Sequence, residues 1–82
     1  MEVLRTALLS PIDTVHVAAL EMTLALSADT AFCSSVENSG IVTALVPFLA
    51  DSDRNKQLCA LLALVHFAAV SKKNRAAILQ GN

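Results

Sequence analysis

The strongest constraint on this chain is an internal repeat with a period of 41 residues. When the sequence is shifted by 41 positions, apolar residues fall on apolar residues: Leu4 on Leu45, Leu8 on Leu49, Ala19 on Ala60, Leu20 on Leu61, Leu24 on Val65 and Leu26 on Phe67. One added residue in the second copy also places Val36 on Ile78. Self-similarity at this period is typical of helical solenoids, in which each repeat buries its apolar sides against its neighbours.

The apolar residues within each copy have helical spacing. Ala60, Ala63, Leu64 and Phe67 follow the i, i+3, i+4, i+7 pattern of one helix face, and strand-like alternation is absent from the sequence. We therefore predict an all-α fold with helices at residues 2–9, 13–28, 30–38, 42–50, 53–70 and 72–80.

Turn and capping residues separate these helices. Asp51, Ser52 or Asp53 can accept hydrogen bonds from the free amides at the start of the fifth helix. Gly40 can adopt the left-handed conformation that ends the third helix. Pro47 lies inside the fourth helix, where it removes a backbone donor and is expected to kink the helix or delay its start.

The segment GIVTALVPFLADSDRNKQLCALLALVHFAA, residues 40–69, resembles the armadillo repeat. Glycine, small and apolar residues carry the match: Gly40, Val42, Leu45, Val46, Phe48, Leu49, Ala60, Ala63, Leu64, Phe67 and Ala68. The segment KKNRAAILQGN, residues 72–82, is similar to the short first helix of a further repeat. Residues 1–29 match less closely, because Met22 and Thr23 stand at the usual Ala-Leu positions, and Asn82 stands where the family usually has Gly.

The resemblance implies an armadillo-like right-handed superhelix, an α-solenoid of about six helices with fewer than three full repeats. In these terms residues 1–28 are the second and third helices of a partial repeat, and residues 29–70 are a complete repeat. Residues 71–82 then form the first helix of another repeat, so that the whole chain is one armadillo fragment.

The resemblance also implies a partner-binding groove lined by the third helix of each repeat, which is the predicted helix at residues 13–28 in the first copy and at residues 53–70 in the second. His66 stands where the family often carries Asn, and Leu62 stands where several members carry Trp. The candidate groove residues in the two copies are Thr14, Glu21, Ala25, Asn55, Cys59, Leu62 and His66, and Ala18 shares their stripe. Because Glu21 and Ala25 occupy the Trp and Asn positions of the first copy, the paired ladder with which nuclear-import members grip basic peptides is absent from this sequence.

Two interpretations of His66 remain open. The plainer one is a hydrogen-bonded packing histidine, and the other is a contact to a partner through the imidazole. General-base catalysis is not favoured, because no carboxylate or nucleophile lies within helical reach. For Glu21, a solvated charge is the first interpretation and a contact to a basic partner is the second.

The remaining polar features have plain interpretations. His16 is expected to be a surface histidine. Lys72, Lys73 and Arg75 favour a solvated helix cap over a phosphate site, because no glycine-rich loop accompanies them.

Composition and charge argue against several classes of function. The formal net charge is −1, and the chain has three Phe and no Trp or Tyr, so it offers neither a basic surface nor a stacking platform for nucleic acid. The longest uncharged apolar stretch, residues 58–70, is shorter than the ~20 residues that span a bilayer. The first residues lack the features of a secretory signal. We expect no nucleic-acid binding, no membrane insertion, and a cytoplasmic or nuclear location.

Cys33 and Cys59, 26 residues apart, have neither CxxC spacing nor a histidine cluster that would complete a metal site. We favour two buried thiols over a disulfide. Pairs of carboxylates, Ser/His/Asp sets and phosphate loops are also absent from the sequence. No enzyme activity, cofactor or metal is therefore expected.

Fewer than three repeats leave apolar surface without a neighbour. The chain is 55% hydrophobic, and Leu58, Leu61, Val65 and Ala69 lie on flanks of the fifth helix that would normally meet adjacent helices. We therefore expect either a piece of a longer array or a short product that must associate. For the isolated chain we predict a homo-oligomer, formed by end-to-end stacking of repeats or by exchange of helices.

The predicted function is that of a protein-interaction scaffold or adaptor, which binds an extended or helical segment of a partner protein along the groove. One alternative is a structural assembly unit that only associates with itself. The other is the substrate-recruiting part of a larger protein, such as a ubiquitin ligase or a myosin-type chaperone.

Overall fold

The computed structural model describes residues 2–37 and 39–80, which form helices and no strand. The elements in chain order are α1 (Glu2–Leu8), α2 (Asp13–Leu26), α3 (Thr30–Ser35), α4 (Ile41–Leu45), a 3₁₀ helix (Val46–Ala50), α5 (Arg54–Val70) and α6 (Lys72–Gln80). The predicted all-α class is confirmed, and each predicted helix lies within a few residues of its expected bounds. Asn38, the predicted end of the third helix, and residues 81–82 lie outside the described residues.

Aspartate side chains cap two of the helices. Asp29 Oδ1 accepts a hydrogen bond from the backbone N–H of Ala31 at 2.8 Å, at the start of α3. Asp53 Oδ1 accepts one from the backbone N–H of Asn55 at 2.9 Å, at the start of α5. Asp53 is thus the cap among the three candidates that the sequence offered for α5, and such a cap contributes about 1 kcal/mol.

Pro47 divides the predicted fourth helix. α4 ends at Leu45, and the chain continues as the 3₁₀ helix with Pro47 in its first turn. Proline has no N–H to donate to the carbonyl four residues earlier, and its ring crowds that carbonyl, so a continuous α-helix is disfavoured. The predicted interruption at Pro47 is confirmed and takes the form of a change in helix type.

Gly40 has a left-handed backbone conformation, with φ of 85°. It is the N-cap residue of α4, whereas α3 already ends at Ser35, so its predicted role as the terminator of the third helix is wrong. A Cβ atom at Gly40 would lie 2.9 Å from Cδ of Arg5. Glycine therefore permits both the turn and the close approach of α1 to the start of α4.

Elements that lie one sequence repeat apart pack against each other. α1 contacts α4, and α2 contacts α5. α6 is joined to α3 by a hydrogen bond of 2.9 Å from Asn74 Nδ2 to the backbone carbonyl of Cys33. α5 also contacts α3, α6 and the 3₁₀ helix, which places it at the centre of the molecule. The largest apolar side chains that are fully buried are Leu8, Leu20, Val36, Ile41, Leu45 and Phe67.

The buried face of α5 is the one that the spacing predicted. Ala60, Ala63, Leu64 and Phe67 are all buried, as is Lys56 one turn before them. Packing of this apolar face is the main source of stability for α5.

Other flanks of α5 are open to solvent. Leu58, Leu61 and Val65 are 49%, 48% and 53% exposed, as predicted for helix flanks that have no adjacent helix to pack against. Within the described ranges, no helix is both long and apolar enough to cross a membrane.

Candidate functional site

The candidate groove lies where α2 and α5 pack side by side. Glu21 from α2 and Asn55 and Cys59 from α5 line one cavity of about 220 Å³. Val17, Leu20, Asp53 and Lys56 complete its walls. The structure thus brings together three of the seven residues that the sequence assigned to the groove.

The other candidate residues are placed differently. Thr14 lines a separate, largely apolar cavity formed by α1, α2 and α3. Ala25 and Leu62 are exposed on α2 and α5 respectively. We group Glu21, Asn55 and Cys59 as the central groove, and treat Leu62 and His66 as its extension along α5.

His66 is held by a hydrogen bond to α2's C-cap residue. Its Nδ1 lies 2.7 Å from Oγ of Ser27, which is buried. The Ser27 hydroxyl donates to the backbone carbonyl of Leu24 at 2.6 Å. Because the hydroxyl has a single hydrogen and donates it to Leu24, His66 Nδ1–H is the donor to Ser27, and in the neutral imidazole this leaves Nε2 as an acceptor. His66 itself is exposed, so this bond orients the imidazole without burying it.

Lys56 and Asp13 form an ion pair across α2 and α5. Lys56 is buried, whereas Asp13 is exposed. The hydrogen bond from Lys56 and its charge hold the pKa of Asp13 below its usual range. The same hydrogen bond raises the pKa of Lys56 against the opposing effect of its burial.

This pair is not among the residues predicted from the sequence, although the sequence contains one signal of it. Lys56 lies four residues before Ala60 and therefore falls on the apolar face of α5. A charged residue in that register needs a partner, because an unpaired buried charge is costly. Its partner Asp13 is 43 residues away, a distance that no helical spacing reveals.

A second polar cluster holds α6 against α3 and α5 by hydrogen bonds. Asn74 is buried, and its Nδ2 donates to the backbone carbonyls of Cys33 at 2.9 Å and Phe67 at 3.2 Å. The Ser71 hydroxyl donates to a carboxylate oxygen of Glu37. These bonds satisfy polar groups inside the molecule, so Asn74 and Ser71 serve the fold and not the groove.

The prediction that His16 lies on the surface is only partly correct. His16 is half-buried, and its ring meets that of Phe48 edge to face, with centroids 5.1 Å apart. Arg75 Nη1 donates to the backbone carbonyl of Ala68 at 2.6 Å, as expected of a residue that caps a helix end. Lys72 and Lys73 are exposed.

Both cysteines are free thiols. Cys33 is buried, and its thiol donates to the backbone carbonyl of Ser27 at 3.1 Å. Burial and the nearby charge of Asp29 raise the pKa of the Cys33 thiol, which makes it a weaker nucleophile at neutral pH. Cys59 is only half-buried, which corrects the prediction of two buried thiols and places one thiol in the central groove.

The chemistry of the central groove is that of hydrogen bonding. Glu21 and Asp53 offer carboxylates, Asn55 an amide and Cys59 a thiol. In the part of the chain that the structure describes, no group of three His, Cys, Asp or Glu side chains is placed to hold a metal ion. Comparison of this chain with protein-family models, with curated proteins and with solved structures finds no match.

Proposed function

We propose that this chain is an armadillo-like module that binds a segment of a partner protein along the groove between α2 and α5. Binding there is by shape and hydrogen bonding, without catalysis or a cofactor, and takes place in the cytoplasm or nucleus. The packing of α1 on α4 and of α2 on α5 supports a stacked arrangement, since each pair joins elements one repeat apart.

The observation that carries the proposal is the central groove itself. Three residues selected from the sequence for partner binding, Glu21, Asn55 and Cys59, line one cavity of about 220 Å³. Next to them along α5, His66 presents Nε2 as an acceptor, because its Nδ1 is engaged by Ser27. A partner segment would supply donors to these acceptors and an apolar side chain to Leu62, which is 47% exposed.

The test begins with selection of binding peptides from a displayed peptide library against the 82-residue chain. The affinity of a selected peptide is then measured for a triple variant, Glu21→Ala, Leu62→Ala and His66→Ala. We expect affinity to fall at least about tenfold, because interface energy is concentrated in a few central residues.

A matched triple variant in exposed residues outside the groove, Glu2→Ala, Thr43→Ala and Lys72→Ala, should bind the peptide as the unmodified chain does. Unchanged affinity of the groove variant, with an intact helical circular dichroism spectrum, would show that the groove assignment is wrong.

Exposed apolar side chains favour a second function, assembly with other copies of the chain. Val3 and Met22 are exposed at one end of the helix stack, and Leu58, Leu61 and Val65 are exposed at the other. Apolar surface of this kind usually marks a contact with another molecule. Assembly and peptide binding use different surfaces, so the two functions are compatible.

A further inference from the structure

The molecule has an open groove at each end of its helix stack. The amino-terminal groove, of about 510 Å³, is formed by α1, α2 and α3, and its lining includes Ala7, Val15, Ala18, Ala19, Met22 and Leu26. The carboxy-terminal groove, of about 410 Å³, is lined by Leu49, Arg54, Gln57, Leu58 and Leu61. Both are apolar surfaces that the chain leaves uncovered.

The carboxy-terminal groove corresponds to a surface that is filled within the molecule. Its five residues lie 41 positions after Leu8, Asp13, His16, Val17 and Leu20. Leu8 and Leu20 are buried, Val17 is 38% exposed, and Asp13 and His16 contact the second copy of the repeat directly. Asp13 pairs with Lys56, and His16 meets the ring of Phe48. Leu20 is 1% exposed, whereas its counterpart Leu61 is 48% exposed.

The amino-terminal groove corresponds to the other half of the same internal interface. The six residues named above lie 41 positions before Phe48, Lys56, Cys59, Ala60, Ala63 and Phe67. In the second copy these positions are covered: Cys59 is half-buried and the other five are buried. Met22, by contrast, is 57% exposed, whereas its counterpart Ala63 is 1% exposed.

The two open grooves are therefore repeat counterparts of the two sides of the α2–α5 interface. The carboxy-terminal groove lies one repeat after the α2 side, and the amino-terminal groove lies one repeat before the α5 side. We propose that a second copy of this chain stacks head to tail on the first, with the carboxy-terminal groove of one copy against the amino-terminal groove of the next. This inference rests on the repeat stacking proposed above and names the partner of its two ends. Because the two contacting surfaces differ, the contact is heterologous and leaves a free groove at each end of any stack.

The contact between copies differs chemically from the internal one. Where Asp13 meets Lys56 inside the chain, the corresponding pair between copies is Arg54 and Val15. Where Phe48 fills the internal interface, the counterpart is Ala7, which leaves room for the leucines of the neighbouring copy. Association between copies is thus carried by apolar burial and not by an ion pair.

The experiment uses two variants that each disable one groove. Leu61→Glu places a carboxylate in the carboxy-terminal groove, and Met22→Glu places one in the amino-terminal groove. Both positions are exposed and helical, so the fold is expected to tolerate Glu. Leu58→Glu and Leu26→Glu serve as second variants if either first variant loses its helical circular dichroism signal.

The expected result is a complementation pattern in sedimentation and light scattering. The mass of the unmodified chain rises with concentration through a series of oligomers, and each variant alone has the mass of one chain. An equimolar mixture forms a one-to-one heterodimer, because each variant supplies the groove that the other lacks. The heterodimer does not grow further, because the grooves left at its two ends are the disabled ones.

Thr43→Glu is the matched control, since Thr43 is exposed and helical and lines neither end groove nor the central groove. Its repeat counterpart is Glu2, so a carboxylate is already compatible with the repeat at that position. This variant should associate as the unmodified chain does.

Three results would overturn the inference: an unmodified chain that stays at the mass of one chain at all concentrations, a single groove variant that still associates, or a mixture that does not form the heterodimer. The second of these would indicate an isologous contact through one groove. Peptide binding along the central groove is measured separately, so loss of stacking with retained peptide binding leaves the function proposed above intact.

Discussion

At the scale of single residues, Lys56 brings a charge into the apolar face of α5. It is buried beside Ala60 and Ala63, and its ammonium group is compensated by Asp13 on α2. Only the Lys56 side chain is buried, at 7% exposure, so removing the Asp13 carboxylate destabilises the fold by taking away the hydrogen-bond partner of that ammonium group. The pair therefore makes the packing of α2 on α5 dependent on pH.

We predict that Asp13→Asn lowers the free energy of unfolding at neutral pH. The folded pKa of Asp13 lies below its ordinary value of about 3.9, so the carboxylate stabilises the fold above that pH. Its contribution is lost as the pH falls through the lowered folded pKa. In urea unfolding at a series of pH values, the difference between the unmodified chain and the variant should shrink below about pH 3.9.

The raised pKa of Lys56 gives the opposite sign on the alkaline side, where its contribution is lost as the pH rises above about 10.4. Glu2→Gln, which changes an exposed carboxylate in α1, is the control and should leave the stability at neutral pH unchanged. A difference for Asp13→Asn that stays constant from neutral pH into strong acid would contradict the ion-pair assignment.

At the scale of elements, the caps and the proline set where helices begin and change type. Asp53 satisfies free amides at the start of α5, which is the central helix of the molecule. Ser52 precedes it and is exposed, and its side chain is not the cap. The two residues therefore form a matched pair for a test of capping.

We predict that Asp53→Ala destabilises the fold by about 1 kcal/mol, the usual cost of losing an N-cap side chain. Ser52→Ala should change the free energy of unfolding by less than about 0.5 kcal/mol, as is usual for a surface substitution. Chemical denaturation of both variants gives the two values. Equal effects of the two substitutions would mean that α5 does not begin as described.

The sequence was sufficient to predict features that depend on local chemistry. The helices follow from apolar spacing, the interruption at Pro47 from its missing N–H, and the buried face of α5 from the positions of Ala60 and Phe67. These features depend on residues a few positions apart, so a single chain contains enough information to locate them.

Features that join distant residues could not be predicted in the same way. The Lys56–Asp13 pair and the His66–Ser27 bond span 43 and 39 residues. The partial burial of the His16 ring depends on the position of Phe48, which lies in the 3₁₀ helix. Partners of this kind are chosen by the packing of whole elements, and helical spacing specifies only which face a residue occupies.

At the scale of the whole molecule, both proposed functions depend on one relation, the packing of the first sequence repeat on the second. It places Glu21 beside Asn55 and Cys59, which forms the central groove. It also makes the open grooves at the two ends counterparts of one internal interface. If α2 did not pack on α5, both the groove and the stacking of copies would be lost.

The most direct test of that packing is a nuclear Overhauser measurement on the isotope-labelled 82-residue chain. We expect cross-peaks between ring protons of His16 and Phe48, whose ring centroids lie 5.1 Å apart, and between the side chains of Asp13 and Lys56. Absence of both sets of cross-peaks in a chain with native helical content would contradict the repeat-on-repeat packing.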